Sequence, residues 1–136
     1  AVADAANAAI RLTVTDRLTY GVLHGDPAPE DFVVDPATGR AGLLDCGAAG
    51  TGPLVYDVAA AVVYAGGPEQ AGELLDGYRA AGPVDEDELN AALPVLLRFR
   101  WAVQADWCAR RIANGGRVGE ALQRAREALA ERPGTS

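Results

Sequence analysis

Four side chains within 22 residues of one another could do chemistry together: His24, Asp26, Asp31 and Asp45. The first three fall in the stretch YGVLHGDPAPEDFVVD, residues 20–35, which also holds the only histidine of the chain. Pro27 and Pro29 bar regular hydrogen bonding there, so the stretch reads as a polar loop between two apolar runs, Tyr20 to Leu23 and Phe32 to Val34. Loops clamped this way commonly carry function. Asp45 closes a second apolar run, AGLLD, which follows the turn sequence PATGR. Two short apolar strands joined by such a turn make a β-hairpin, and an antiparallel hairpin brings its outer ends together. Asp31 and Asp45 sit at those ends. Two converging carboxylates repel unless a cation joins them, and hard oxygen ligands suit magnesium. Asp26, in the same loop, is left for a separate task such as accepting a proton.

A proton-accepting loop aspartate, a metal-binding residue five positions later and a second metal acid at the end of the next strand pair follow the logic of phosphoryl transfer. The elements around them must hold these loops. Residues 2 to about 18 place Ile10, Val14 and Leu18 at helical spacing, with a break expected near 13–15. TYGVL reads as a strand and CGAAGTGPL as irregular and glycine-rich. Asp57 is expected to cap the helix VAAAVVYAG, which Gly66 and Gly67 stop. Pro68 is expected to open a helix to about Ala81. A long helix from about Asp85 to Asn114 carries Leu89, Leu93, Leu96, Leu97, Trp101, Gln104 and Cys108 on one broad stripe, with Pro94 as a kink or as its true start. A last helix spans about 118–129. The fold class is therefore α+β, mostly α, with a helical bundle behind a small hairpin.

Composition bounds the rest. The 136 residues are 49% hydrophobic, enough for one core. A net charge of −7 argues against nucleic-acid binding and against docking on an anionic membrane. The longest apolar run is too short to span a bilayer, and no basic leader precedes it. Cys46 and Cys108 lack metal spacing and read as small buried residues in a reducing, cytoplasmic setting. All twelve basic residues are arginine, so a mechanism that needs a lysine cannot be completed by this chain alone.

The ordered motifs resemble those of the aminoglycoside phosphotransferase and choline kinase-like superfamily, a protein-kinase-like group. HGDPAPED resembles that family's H-G-D-x-x-x-x-N, LLDCG its D-x-G, and GPLVYDVA its G-x-P-x-x-D-[LV]-A. The resemblance implies Asp26 as catalytic base, Asp31 and Asp45 as magnesium ligands, and His24 and Asp57 as supports of the catalytic loop. It implies ATP with magnesium and a small hydroxyl-bearing substrate such as a sugar, an aminoglycoside, a choline-like amine or a homoserine-like amino acid. It also makes residues 1–132 the carboxy-terminal lobe of such a kinase, with 133–136 a disordered tail and the amino-terminal nucleotide lobe absent. Two departures stand out: aspartate at 31 where the family has asparagine, and no lysine to grip phosphates. They make a catalytically incompetent ligand-binding or partner-binding module the alternative for this chain. An uncovered lobe face, including Leu12, Val14, Val33 and Leu43, is expected to pair in a homodimer.

Other polar features read more plainly. Asp35 before Pro36 is turn chemistry. The acids at 85–88 are a solvated helix start. Gly47, Gly50 and Gly52 form a flexible segment after the metal acid. Of Trp101 and Trp107, one is core and the other lines a cleft. Arg98, Arg100, Arg110 and Arg111 make internal ion pairs.

Overall fold

A computed structural model describes residues 1–131; the expected tail at 133–136 lies outside them. Among these residues, five α-helices and four short strands follow one another. They are α1 (Val2–Thr13), β1 (Tyr20–Leu23), β2 (Phe32–Val34), β3 (Ala41–Leu43), β4 (Gly50–Pro53), α2 (Val55–Ala65), α3 (Gly72–Ala81), α4 (Glu86–Ala113) and α5 (Gly119–Ala130). The architecture is α+β and mostly helical, as the periodicities indicate.

The long helix α4 is the mast of the molecule, with α1, α2 and α5 packed along it. Asp85 caps it by accepting from the Glu88 amide at 2.8 Å, and acids fill its first turn. Its apolar stripe serves two cores. Leu89, Ala92 and Leu96 join Val55, Val58, Ala59 and Val62 of α2, Leu75 of α3 and Ala9 of α1. Further along, Ala102, Ala105 and Cys108 meet Leu122, Ala125 and Leu129 of α5 and Ala5 of α1. Val55, Val62 and Leu89 are fully buried, each worth about 1.5–3 kcal/mol of apolar transfer. Pro94 lies inside α4 on its exposed side, so it is not the start of the helix.

The strands form two separate antiparallel pairs. Phe32 faces Leu43 and Val34 faces Ala41 in the expected hairpin. Asp35 shapes its turn, accepting from the Ala37 amide and the Thr38 hydroxyl, both at 2.9 Å. These bonds hold its carboxyl below the usual range.

Several boundaries differ from the sequence expectation. The Gly50–Pro53 segment is not irregular: it pairs with β1, Tyr20 opposite Pro53 and Leu23 opposite Gly50. Gly52 lies close under Leu23 there, and a Cβ 2.8 Å from Leu23 Cδ1 would make that side chain shift. α1 stops at Thr13, where the Thr13 and Thr15 hydroxyls turn back to the Ile10 and Leu12 carbonyls, each at 2.8 Å. α3 begins at Gly72, after a turn in which Pro68 does not propagate a helix. Cys46 is exposed in a 3₁₀ turn, not buried; Cys108 is buried as expected. Glu88 is not a merely solvated charge, since its carboxylate binds both the amide and the hydroxyl of Thr19, the latter at 2.7 Å. That contact ties the approach to β1 onto α4.

Candidate active site

β1 delivers His24, Gly25 and Asp26 to one end of the helical body. Gly25 has φ +90°, and a Cβ there would lie 2.2 Å from the Ala48 carbonyl oxygen. Only glycine lets the His-Gly-Asp loop lie so close to the loop after Asp45. Asp57 holds the same turn from the helical side. Its carboxylate accepts from the His24 amide at 2.7 Å and the Gly25 amide at 2.9 Å. Asp57 is not the cap of α2, as its position before an apolar run indicated. It is the third residue of that helix, and its side chain reaches across to β1 instead of back to its own backbone. The buried Val55 and Val58 beside it fix where that carboxylate stands.

His24 links two loops. Its Nδ1 accepts from the Asp26 amide at 3.3 Å, so the ring proton sits on Nε2 and is donated to the Leu44 carbonyl at 2.6 Å. Leu44 precedes Asp45, and the imidazole thus spaces the Asp26 loop from the end of the hairpin. The Leu44 amide donates to the Asp31 carbonyl at 2.8 Å, extending the β2–β3 ladder by one step. The backbones of Asp31 and Asp45 are therefore brought to the same end of the hairpin. Asp31 closes a 3₁₀ turn. Asp45 is the only non-glycine residue with positive φ among the described residues, at +57°, and accepts from the Gly47 amide at 3.4 Å. A non-glycine residue held in the left-handed region is the kind of local strain found at functional sites.

Among the described residues, no group of three or more acid, histidine or cysteine side chains could enclose an ion. Two carboxylates from one hairpin end are the donor chemistry that suits magnesium when phosphates complete its shell, and not a closed protein cage.

Asp26 lies in a cavity of about 440 Å³ lined with Tyr56, Tyr64, Arg100, Gln104 and Trp107. Its Oδ1 accepts from the Tyr64 hydroxyl at 2.5 Å and from Arg100 at 3.4 Å. Arg100 is the one charged side chain buried among the described residues. It also donates to Gln104 Oε1 at 3.1 Å and lies 5.8 Å from the centre of the Tyr64 ring. Burial first, and then the bond to Asp26, push the Tyr64 phenol up to about 12. Burial likewise raises Tyr56. Tyr64 is thus a hydrogen-bond donor at any ordinary pH. A second cavity of about 460 Å³ shares Tyr64 and Gln104 and runs on to Trp101 and Arg124.

The sequence motifs located the acids but not this wall. Arg100, Gln104 and Trp107 recur at i, i+4 and i+7, one face of α4, and that spacing was the available signal. Gln104 belongs to this polar wall more than to the apolar stripe. Trp107 is exposed on the cavity, while Trp101 packs against the second core. Of the four arginines expected to pair internally, Arg110 bonds Asp106 at 2.8 Å and Arg100 meets Asp26. Arg98 instead donates to the Glu131 carbonyl, and Arg111 stacks on Trp107, 5.2 Å from its ring centre. Nothing near residues 32–57 points to Tyr64 or Arg100, because only packing of α2 on α4 brings them to Asp26.

A strand-borne His-Gly-Asp turn braced by a helix carboxylate, with a two-acid hairpin beside it, defines a kinase-like fold. The chain belongs to the phosphotransferase enzyme family, whose model matches residues 1–93. No curated protein and no solved structure resembles the chain closely enough to count as a match. The matched residues contain every motif acid, from Asp26 to Asp57; Arg100, Gln104 and Trp107 lie beyond them. Among the described residues no helix is long and apolar enough to cross a membrane.

Proposed function

We propose that this chain is the catalytic and acceptor-binding part of a cytoplasmic small-molecule kinase, which transfers the γ-phosphate of ATP to a hydroxyl group. The observation that carries the reading is Asp26, placed in a cavity large enough for a small acceptor and linked through His24 to the hairpin end that bears Asp45. Asp26 orients the acceptor hydroxyl and takes its proton. Asp31 and Asp45 would hold magnesium, which would supply charge neutralisation on the phosphates. Asp57 and His24 keep the turn rigid, and positioning of this kind supplies most of the catalysis in phosphoryl transfer. The aromatic lining suits a compact ring or short chain.

One observation favours a second reading for the 136-residue chain taken by itself. It has no lysine, so the cation that grips the nucleotide phosphates in related enzymes has no counterpart within it. On that reading the chain alone binds a ligand without turning it over. The test uses ATP, magnesium and a panel of sugars, hydroxyamines and hydroxyamino acids with two proteins: this chain, and the complete product of the gene that encodes it. The complete product is expected to phosphorylate one class, and Asp26→Asn to lower kcat by roughly 10²–10⁴-fold. The 136-residue chain is expected to show no turnover. Turnover that survives Asp26→Asn would remove Asp26 from the chemistry.

A further inference from the structure

Asp26 has two carboxylate oxygens, and the fold treats them unequally. Oδ1 receives two donors, the Tyr64 hydroxyl at 2.5 Å and an Arg100 guanidinium nitrogen at 3.4 Å. Among the described residues no hydrogen bond ends on Oδ2. The backbone of the residue is held as well, by its amide on His24 Nδ1 and by its carbonyl, which accepts from the Ala28 amide at 2.9 Å.

Arg100 is an expensive residue to keep where it is. Its side chain is 7% exposed, and its contact with Asp26 is a single long one, not a two-pronged fork. A buried guanidinium in such a place contributes little net stability, and an apolar residue of similar volume would pack as well. Its three neighbours are Asp26, Gln104 and the face of Tyr64, and Tyr64 in turn bonds Asp26. Arginine and tyrosine thus form one unit whose common target is a single oxygen atom.

We infer that Tyr64 and Arg100 are positioning residues that grip Oδ1 of Asp26 and so lock the carboxylate in one rotamer, with Oδ2 turned toward the acceptor hydroxyl. The inference rests on the reading of Asp26 as the base. Without the grip, a carboxylate half exposed at the end of one Cα–Cβ bond samples several staggered positions, and only one of them faces the acceptor. Fixing it beforehand removes that search from each turnover. Tyr64 can serve because its phenol keeps its proton up to about pH 12.

The rotamer can be read without any substrate. Three-bond couplings from Asp26 Cγ to its own amide nitrogen and carbonyl carbon report χ1 directly by NMR on the ¹³C,¹⁵N-labelled chain. Limiting couplings, one large and one small or both small, the signatures of a single rotamer, are expected in the unaltered protein. Averaged values are expected in Tyr64→Phe and in Arg100→Gln, while the couplings of Asp57, which has its own partners, stay unchanged. Tyr64 is partly exposed, so Tyr64→Phe is expected to fold even if Arg100→Gln does not. An Asp26 rotamer that stays single in folded Tyr64→Phe, or that is already averaged in the unaltered chain, overturns the inference. In the complete gene product, Tyr64→Phe is expected to lower kcat roughly tenfold with the KM for ATP unchanged. Loss through KM alone also overturns it. Averaging with no Asp26-dependent turnover in any protein would instead sink the kinase reading while leaving the grip itself established.

Discussion

At the scale of single residues, the site is a matter of which donors face which acids. Tyr64 is the most informative reporter. Its phenol titrates at about 12 because burial disfavours the phenolate and because Asp26 both accepts its proton and repels its charge. Asp26→Asn removes the charge repulsion and weakens the bond, which its amide oxygen can still accept, and leaves the burial, so the midpoint should fall toward, but not to, the ordinary value of 10.0. Absorbance at the tyrosinate band across alkaline pH measures this against the same curve for Tyr64→Phe. The sign for stability follows: a raised tyrosine pKa favours the folded state fully below pH 10, and that contribution is lost as pH rises through about 12. A midpoint unchanged in Asp26→Asn would mean that the 2.5 Å contact does not persist in solution.

At the scale of elements, the loop that presents Asp26 is held by groups that are not themselves chemical. Asp57→Ala leaves two half-buried amides, those of His24 and Gly25, without their acceptor, and should cost about 2–4 kcal/mol. Gly25→Ala should cost at least about 2 kcal/mol, since the new methyl meets the Ala48 carbonyl and the backbone is in the left-handed region. Pro94→Ala has the opposite sign. Proline in the interior of α4 forfeits a helical hydrogen bond at an exposed position, so its removal should raise stability by about 1–3 kcal/mol. Urea unfolding followed by far-UV circular dichroism measures all three. A destabilised Pro94→Ala would show that the proline is needed for the packing of α4 against its neighbours.

At the scale of the whole molecule, the helices enclose two cores while the strand pairs leave most of their apolar side chains open. Val22, Val34, Phe32 and Val33 are 82%, 65%, 47% and 44% exposed, and Val14 is 80% exposed. Leu12, expected in the same patch, instead packs against the first core. Both strand pairs have open edges. Apolar strands with free edges tend to find partners, so the isolated chain is expected to self-associate, and Val22→Asp and Val33→Asp to shift it toward monomer. Light scattering at micromolar concentration decides this; a monomer at every concentration would rule out the homodimer. The helical cores should behave as ordinary ones, with Leu89→Ala costing about 2–5 kcal/mol in the same unfolding experiment.

What the sequence determined by itself was local. The order of His24, Asp26, Asp31, Asp45 and Asp57, the hairpin turn at 35–40, the acidic helix start at 85–88 and the stripe along α4 all depend on neighbours within a turn or a strand, and such short-range rules are legible in one chain. The pairing of β4 was not, and the bracing role of Asp57 came only through the family resemblance, not from its neighbours. Asp57 has the position of a cap, yet its carboxylate serves amides 33 and 32 residues away, and the glycines of β4 look irregular until β1 lies beside them. The same holds for Arg100, which meets Asp26 across 74 residues of chain. A side chain's nearest charged partner at that separation is set by how helices pack, and packing of α2 on α4 turned a set of motif acids into a walled site with one gripped carboxylate.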